Sequence, residues 1–182
     1  MGLALAIQAF VVKPYQIPSE SMVPTLEVGQ RVLVNRVIYH FGDPNAGDIV
    51  VFHPPRGADR GNQCGVQRGA GEACPEPTPE RSDTNFIKRV VAVGGDRLRI
   101  EDGIPIVNGE PVDGSWETRP CGGSGNNCNL PEEIVIPEDH YFMMGDNRGA
   151  SDDSRFWGPV PRDWIIGKAF LTYWPPDRVG IF

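Results

Sequence analysis

The chain has 182 residues, a length that suits one domain, and its 40% hydrophobic content permits a buried core and excludes global disorder. The net charge of −7 argues against a nucleic-acid-binding protein, which normally carries a basic patch. The 22 glycines and 18 prolines favour strands, turns and loops over long helices. We therefore expect a mainly β fold.

The first element along the chain is an apolar run at residues 3–12, which ends at Lys13-Pro14. It is too short for a membrane-spanning helix, which needs about 20 residues, and it lacks the basic start of a cleaved signal peptide. A core helix or a first strand is one interpretation. The interpretation we favour is the outer end of a membrane anchor, so that residues 1–13 precede a domain covering residues 14–182.

The following elements are predicted to be strands, because short apolar or alternating runs are bounded by turn residues. Asn108-Gly109 predicts a tight hairpin turn between residues 104–107 and 110–112. Only residues 151–155 favour a short helical turn. The other predicted strands cover residues 31–35, 48–52, 86–93, 97–100, 134–136, 140–144 and 165–174.

Two stretches rich in Gly, Pro, Asn and charge, at about 56–84 and about 113–131, are predicted to be surface insertions. Each stretch holds one pair of cysteines. Their spacing does not match the close pairs of zinc sites, so we favour disulfides over free thiols and place zinc third. Disulfides would indicate an oxidising compartment. The pairs are Cys64 with Cys74 and Cys121 with Cys128.

Ser21 and Lys88 are the residues whose chemistry directs the functional interpretation. Ser21 lies between Pro18 and Pro24, which stiffen the chain around its hydroxyl. A serine hydroxyl is a poor nucleophile unless a base removes its proton. Lys88 lies in an apolar predicted strand, where burial would lower its pKa from about 10.4. A turn serine and a solvated lysine are the alternatives.

Arg89 follows Lys88, and neighbouring strand residues point to opposite faces. We therefore expect one of the two side chains to enter a cleft while the other stays in water. Ser19 is positioned to aim a second hydroxyl at a developing oxyanion, beside the backbone N–H of Ser21. We interpret this pattern as that of a Ser/Lys peptidase.

A polar block at residues 145–158 offers supporting groups. Ser151 is a candidate to orient the lysine amine, and an Asp153–Arg155 pair could hold the turn in place. The alternative is a solvated turn with surface ion pairs of little energetic weight. A Ser-His-Asp triad also stays open, although no Gly-x-Ser-x-Gly sequence is present. The available histidines are His40, His53 and His140.

Four sequence blocks together resemble type I signal peptidases, and they occur in the order found in that family. They cover residues 16–26, 47–52, 86–96 and 145–161. These are membrane-bound Ser/Lys enzymes that remove signal peptides from exported precursors. The sequence Ser19-Glu20-Ser21 is similar to that of cyanobacterial and thylakoid members. The resemblance implies an antiparallel β-sheet, barrel-like fold with its active site at the membrane-proximal edge, and neither a cofactor nor a metal.

The resemblance also implies roles for individual residues. Ser21 would be the nucleophile, Lys88 the general base and Ser19 the side-chain oxyanion donor, with Ser151, Asp153 and Arg155 in support. The substrate is expected to add as an extended strand, with small residues in shallow apolar pockets. The expected pocket residues are Ile17, Pro18, Met22, Leu26, Phe86 and Ile87.

The expected partners are precursors that carry signal peptides, together with membrane lipid, and no nucleic acid. The sequence leaves the oligomeric state open, with a monomer as the expectation. We expect the catalytic domain on the trans side of a plasma or thylakoid membrane. Two other functions remain in view: a self-cleaving Ser/Lys protease of the repressor type, with residues 69–71 as a conceivable site, and a non-catalytic, membrane-associated β module that binds peptides.

Overall fold

The computed structural model describes residues 11–58, 64–67, 74, 76, 78–112, 116–122 and 128–182. Within these residues the chain forms two antiparallel sheets and little helix, as predicted. The proposed end of a membrane anchor falls mostly on residues 1–10, which lie outside the described residues. Val12 and Lys13, which that prediction included, begin the first strand.

The larger sheet has the strand order β1-β2-β11-β3-β4-β9-β10, and β12 pairs with β11. Every pairing in it is antiparallel. Its strands are β1 (Val12–Gln16), β2 (Arg31–Asn35), β3 (Ile49–Phe52), β4 (Phe86–Val93), β9 (His140–Met144), β10 (Val160–Pro161), β11 (Ile165–Trp174) and β12 (Gly180–Ile181).

The smaller sheet has the order β7-β6-β5-β8 and is also antiparallel. Asn108 and Gly109 both have positive φ, at 53° and 89°, as a type I′ turn requires. The predicted hairpin is therefore confirmed. The strands are β5 (Arg97–Glu101), β6 (Ile104–Val107), β7 (Glu110–Pro111) and β8 (Leu130–Val135).

The helical elements among the described residues are short. The α-helix α1 (Ser154–Trp157) begins after Asp153, whose carboxylate accepts a hydrogen bond from the backbone N–H of Arg155. The predicted helical turn at 151–155 therefore begins three residues too early. The 3₁₀ turns are Glu20–Met22, Ile38–His40, Arg148–Ala150, Arg162–Trp164 and Pro176–Arg178.

The larger sheet is curled. Strands β2, β11 and β3 separate β1 from β4 in the sheet, yet Ile17, just after β1, and Ile87 of β4 belong to one hydrophobic cluster. A second cluster fills the space around Phe52, Val90 and Trp157. A third joins β4 and β9 to the smaller sheet. Strand β4 is thus covered on both faces, which explains why all of its residues except the first and the last are buried.

Both predicted disulfides are present, Cys64–Cys74 and Cys121–Cys128, and they use all four cysteines of the chain. The insertion boundaries remain a prediction, because parts of both stretches lie outside the described residues. Leu130 and Pro131, at the end of the second stretch, already belong to β8.

Candidate active site

Ser21 and Lys88, which lie 67 residues apart in sequence, are in direct contact. The Lys88 Nζ atom lies 2.6 Å from Ser21 Oγ, to which it donates a hydrogen bond. Ser21 sits in the 3₁₀ turn Glu20–Met22 that follows β1, and Lys88 is the third residue of β4. Both residues are buried. The curl of the sheet is what brings the end of β1 against β4.

The surroundings of Lys88 favour a neutral amine. Burial lowers the pKa of Lys88 to about 8, although the carboxylates of Asp153 and Asp152 oppose the shift by stabilising the ammonium form. The Nζ atom also lies 5.6 Å from the centre of the Phe86 ring. At neutral pH a much larger fraction of this amine is therefore neutral than of an exposed lysine.

Ser19 also lies beside the Ser21 hydroxyl. Its Oγ donates a hydrogen bond of 3.3 Å to Ser21 Oγ, and both residues line the same cavity. A hydroxyl in this position is close enough to be redirected to a substrate oxygen bound at Ser21.

Ser151 is placed next to the Ser21 turn, but it does not make the hydrogen bond to Lys88 that the sequence led us to expect. Its Oγ is buried and has no hydrogen-bond partner in this structure. The Ser151 side chain and the carbonyl oxygen of Ser21 both lie against Gly145, so closely that a Cβ atom added to Gly145 would overlap them. Ser151 therefore lies at the site with its hydroxyl unused.

Asp153 and Arg155 form a buried, doubly bonded ion pair. Arg155 donates to Asp153 Oδ1 from Nε at 2.7 Å and to Oδ2 from Nη2 at 2.8 Å, and neither side chain is exposed. Burial would raise the pKa of Asp153, but Arg155 and the backbone N–H of Gly145 outweigh it and lower that pKa. The alternative of a solvated turn is therefore wrong for this pair.

Arg89 is buried as well, which corrects the expectation that one of the two basic residues stays in water. It donates to Asp146 from Nε at 2.9 Å and from Nη2 at 2.7 Å. Thr25 Oγ1 donates to the same carboxylate at 2.5 Å. The fully buried Asp146 thus links β4 to the chain after Ser21. Sequence reasoning assigned Asp146 no role, although an arginine inside a buried strand already requires an acidic partner.

Asn147 holds the Ser21 turn through two hydrogen bonds. Its backbone N–H donates to the Ser21 carbonyl at 3.0 Å, and its Nδ2 donates to the Glu20 carbonyl at 3.2 Å. No local sequence signal distinguishes this residue from an ordinary turn asparagine. The polar block therefore contacts the Ser21 turn directly, as well as lying near Lys88.

A cavity of about 520 Å³ lies against Ser21 and Lys88. Four of the six predicted pocket residues line it: Ile17, Pro18, Phe86 and Ile87. Met22 and Leu26 do not, because both are fully buried in the cluster beneath the Ser21 turn. Their predicted role in substrate contact is corrected to one in the core. Tyr15, Gln16, Val51, Thr84 and Asn85 complete the lining.

The histidines form other contacts. His53 Nδ1 donates to the carbonyl of Thr84 at 3.0 Å, and His140 Nδ1 donates to that of Glu138 at 2.7 Å. The hydroxyl of Ser21 is bonded instead to Lys88 and Ser19. The described contacts therefore build a Ser/Lys pair and not a Ser-His-Asp triad. No group of His, Cys, Asp or Glu suited to a metal ion occurs in the part of the chain that the structure describes.

A buried serine hydroxyl bonded to a buried lysine amine, beside an open apolar cavity, is the arrangement that a serine hydrolase with a lysine base requires. A family profile described as "Signal peptidase, peptidase S26" matches residues 1–174. The chain belongs to this signal peptidase family and is a peptidase. The predicted resemblance is confirmed.

The relatives include cyanobacterial and plant proteins. A signal peptidase I of Leptolyngbya laminosa is 39% identical over 98% of this chain and 76% of its own length. The probable signal peptidase I-1 of a Synechocystis strain is 38% identical over 98% of this chain and 79% of its length. The probable thylakoidal processing peptidase 2 of Arabidopsis thaliana is 35% identical over 98% of this chain and 42% of its length.

Among the residues that the structure describes, no helix has both the length and the apolar character needed to span a bilayer.

Proposed function

We propose that this peptidase removes N-terminal signal peptides from exported precursor proteins, with Ser21 as its nucleophile and Lys88 as its general base. The observation that carries the proposal is the 2.6 Å contact between Lys88 Nζ and Ser21 Oγ in a buried setting that lowers the pKa of the amine. The relatives named signal peptidase I and thylakoidal processing peptidase support this substrate class.

The reaction would proceed in two steps. The neutral amine of Lys88 takes the proton of Ser21 while Ser21 Oγ attacks the carbonyl carbon of the scissile bond. The resulting ammonium then protonates the leaving amine, and the signal peptide stays on Ser21 as an ester. In the second step the same amine takes a proton from water, whose oxygen attacks the ester carbonyl. The ammonium returns this proton to Ser21 Oγ as the ester bond breaks, which releases the signal peptide as a carboxylic acid.

Two donors are positioned for the oxyanion that forms in each step. They are the backbone N–H of Ser21 and the hydroxyl of Ser19, which turns from Ser21 Oγ toward the oxyanion. Ser151 takes a supporting role in this proposal, since its unpartnered hydroxyl lies beside the Ser21 turn. Asp153 and Arg155 hold the backbone at Gly145, and with it the polar block whose Asn147 bonds the Ser21 turn.

The cavity explains a preference for small residues before the cut. An extended peptide would lie between Gln16–Pro18 and Asn85–Ile87, and it would hydrogen-bond as an added strand. Side chains of the bound peptide that point into the cavity would meet the walls formed by Ile17, Phe86 and Ile87. We propose that the pockets between these walls take small side chains and exclude larger ones by overlap.

The proposed location follows from the same assignment. The apolar residues that precede β1 would end a membrane anchor, and the catalytic domain would face the trans side of a plasma or thylakoid membrane, as a monomer in contact with lipid. The two disulfides support an oxidising compartment.

The test is cleavage of a precursor in detergent by the whole chain. Lys88→Ala should abolish cleavage, whereas His140→Ala, which changes a histidine bonded to Glu138, should retain it. Full activity in Lys88→Ala would exclude the mechanism.

The same preparation separates the two other functions. Incubation without substrate yields two fragments only for a self-cleaving protease, whose conceivable site at residues 69–71 lies outside the described residues. An acylating probe labels Ser21 only if the residue is nucleophilic, so a peptide-binding β module stays unlabelled.

A further inference from the structure

A second cavity, of about 390 Å³, adjoins the active-site cavity and concentrates positive charge. Such a concentration is unexpected in a chain whose net charge is −7. The volume lies within the usual range of ligand pockets, about 300–1,000 Å³. The basic side chains that line it are Arg36, His40, His53, Arg81 and Arg162.

Acidic neighbours reduce this charge without cancelling it. Asp43 pairs with Arg162 at 2.7 Å, and Asp163 is part of the lining. Glu80, the acidic residue just before Arg81, is engaged by Arg56. Counting the lining side chains and Asp43, the ion-pair partner of Arg162, three arginines stand against two carboxylates, even with both histidines neutral.

The second cavity and the active-site cavity share a wall. His53 lines the second cavity and donates from Nδ1 to the carbonyl of Thr84, a residue that lines the active-site cavity. A molecule bound in the second cavity would thus be held directly beside the peptide-binding cavity.

The second cavity also lies near the point where the apolar run at residues 3–12 enters β1. The backbone N–H of Arg36 donates to the carbonyl of Val11 at 2.9 Å, and Val12 pairs with Asn35. A lining residue is therefore bonded to Val11, the residue of that run just before β1.

Exposed apolar side chains flank the basic lining. Phe41 is 90% exposed and Ile38 is 39% exposed, on either side of the lining residues Tyr39 and His40. Basic groups next to exposed apolar groups are typical of protein surfaces that lie in the headgroup region of a membrane. A single large exposed phenylalanine needs no partner in itself, but here it adjoins a positive cavity.

We propose that this cavity binds the phosphate of an anionic membrane phospholipid, with Ile38 and Phe41 in contact with the acyl chains. The inference rests on the membrane-surface position given under the proposed function. Arginine suits such a ligand because its planar guanidinium bonds phosphate oxygens in pairs. Bound lipid would hold the active-site cavity at the membrane surface, where the signal peptide of a precursor emerges.

The experiment measures flotation of the whole chain with vesicles of phosphatidylcholine alone or mixed with phosphatidylglycerol. Arg36→Gln/Arg81→Gln removes two charges from the cavity. Arg97→Gln/Arg99→Gln removes the same charge from β5 in the other sheet. We expect the cavity variant to bind the mixed vesicles about 30-fold more weakly than the unaltered chain does. Each arginine at an anionic surface contributes about fivefold, and the variant lacks two of them. The control variant should keep most of its affinity for these vesicles.

A second variant guards against loss of folding. Phe41→Ser changes an almost fully exposed side chain and should weaken binding to the mixed vesicles, while the thermal unfolding midpoint of each variant reports its fold. Equal losses in the two arginine variants, or no preference for phosphatidylglycerol in the unaltered chain, overturn the proposal.

Inorganic phosphate tests whether the cavity binds a free phosphate ion instead of the phosphate of a lipid headgroup. Calorimetric binding of phosphate without any preference for anionic vesicles would identify a small-anion site and overturn the lipid assignment. None of these measurements requires peptide cleavage. Failure of the lipid proposal and failure of the Ser21/Lys88 mechanism can therefore be told apart.

Discussion

At the scale of single residues, the chemistry depends on how burial changes one amine. An exposed lysine is charged at neutral pH and has no lone pair to accept a proton. Burial among Phe86 and its neighbours lowers the pKa of Lys88 to about 8, while Asp153 and Asp152 keep it from falling further. The amine therefore titrates near physiological pH and can act in both directions, as base and as acid.

This pKa predicts the pH dependence of activity. Because the neutral amine is the base, kcat/KM for a soluble peptide should rise as pH increases through about 8 and level off above it. The measurement is a pH–rate profile of the free enzyme below saturation. A profile that is flat between neutral pH and the plateau expected above pH 8 would contradict the assignment.

Ser19 provides a second residue-scale prediction. Since its hydroxyl would stabilise charge that exists only in the transition state, Ser19→Ala should lower kcat by about 10²–10³-fold and leave KM nearly unchanged. Steady-state kinetics on the same peptide separates the two parameters. An effect on KM alone would mean that Ser19 contacts the substrate in its ground state and not the oxyanion.

At the scale of elements, three segments meet at the site, and buried charges hold them together. Asp146 receives hydrogen bonds from Arg89 of β4 and from Thr25 after the Ser21 turn, while Asn147 bonds the turn itself. These contacts place β4, the Ser21 turn and the polar block in one arrangement. The Asp153–Arg155 pair extends the same support from the start of α1.

Asp146→Asn should therefore reduce the free energy of unfolding by about 3–5 kcal/mol, because it leaves the Arg89 charge buried without a carboxylate. Urea unfolding of the oxidised protein provides the measurement. Glu133→Gln is the matched control, since the Arg97–Glu133 pair is largely exposed and should contribute at most about 1 kcal/mol. Similar losses in the two variants would show that the buried Arg89–Asp146 pair contributes no more to the free energy of unfolding than the exposed pair does.

The elements missed by pattern reading are the short and edge strands. Strand β1 contains Lys13 and Pro14, and the favoured interpretation placed its first two residues at the end of a membrane anchor, with a first strand as the alternative. Proline is tolerated there because β1 lies at the edge of the sheet. Strands β10 and β12 have two residues each, too few for any periodic signal.

At the scale of the whole molecule, the two sheets pack against each other through a shared hydrophobic cluster. The disulfides link Cys64 to Cys74 and Cys121 to Cys128, which lie outside the strands. In the chain-entropy account, closing loops with sequence separations of 10 and 7 stabilises the fold by about 2.5 kcal/mol each.

Reduction should therefore lower the free energy of unfolding by about 5 kcal/mol in total if the two loops act independently. Comparing urea unfolding with and without a reducing agent tests this. A variant with all four cysteines replaced by serine should not respond to the reducing agent. Equal unfolding midpoints for oxidised and reduced protein would contradict the prediction.

Composition and local pattern were enough to predict the mainly β class, most long strands, the Asn108-Gly109 hairpin, both cysteine pairs and the candidate Ser21 and Lys88. Each of these depends on residue type and near neighbours, which a sequence displays directly. The partners of Arg89, the unbonded Ser151 hydroxyl and the burial of Met22 and Leu26 depend instead on how the sheet curls. That curl results from side-chain packing between strands far apart in the chain, and packing of this kind leaves no periodic trace in the sequence.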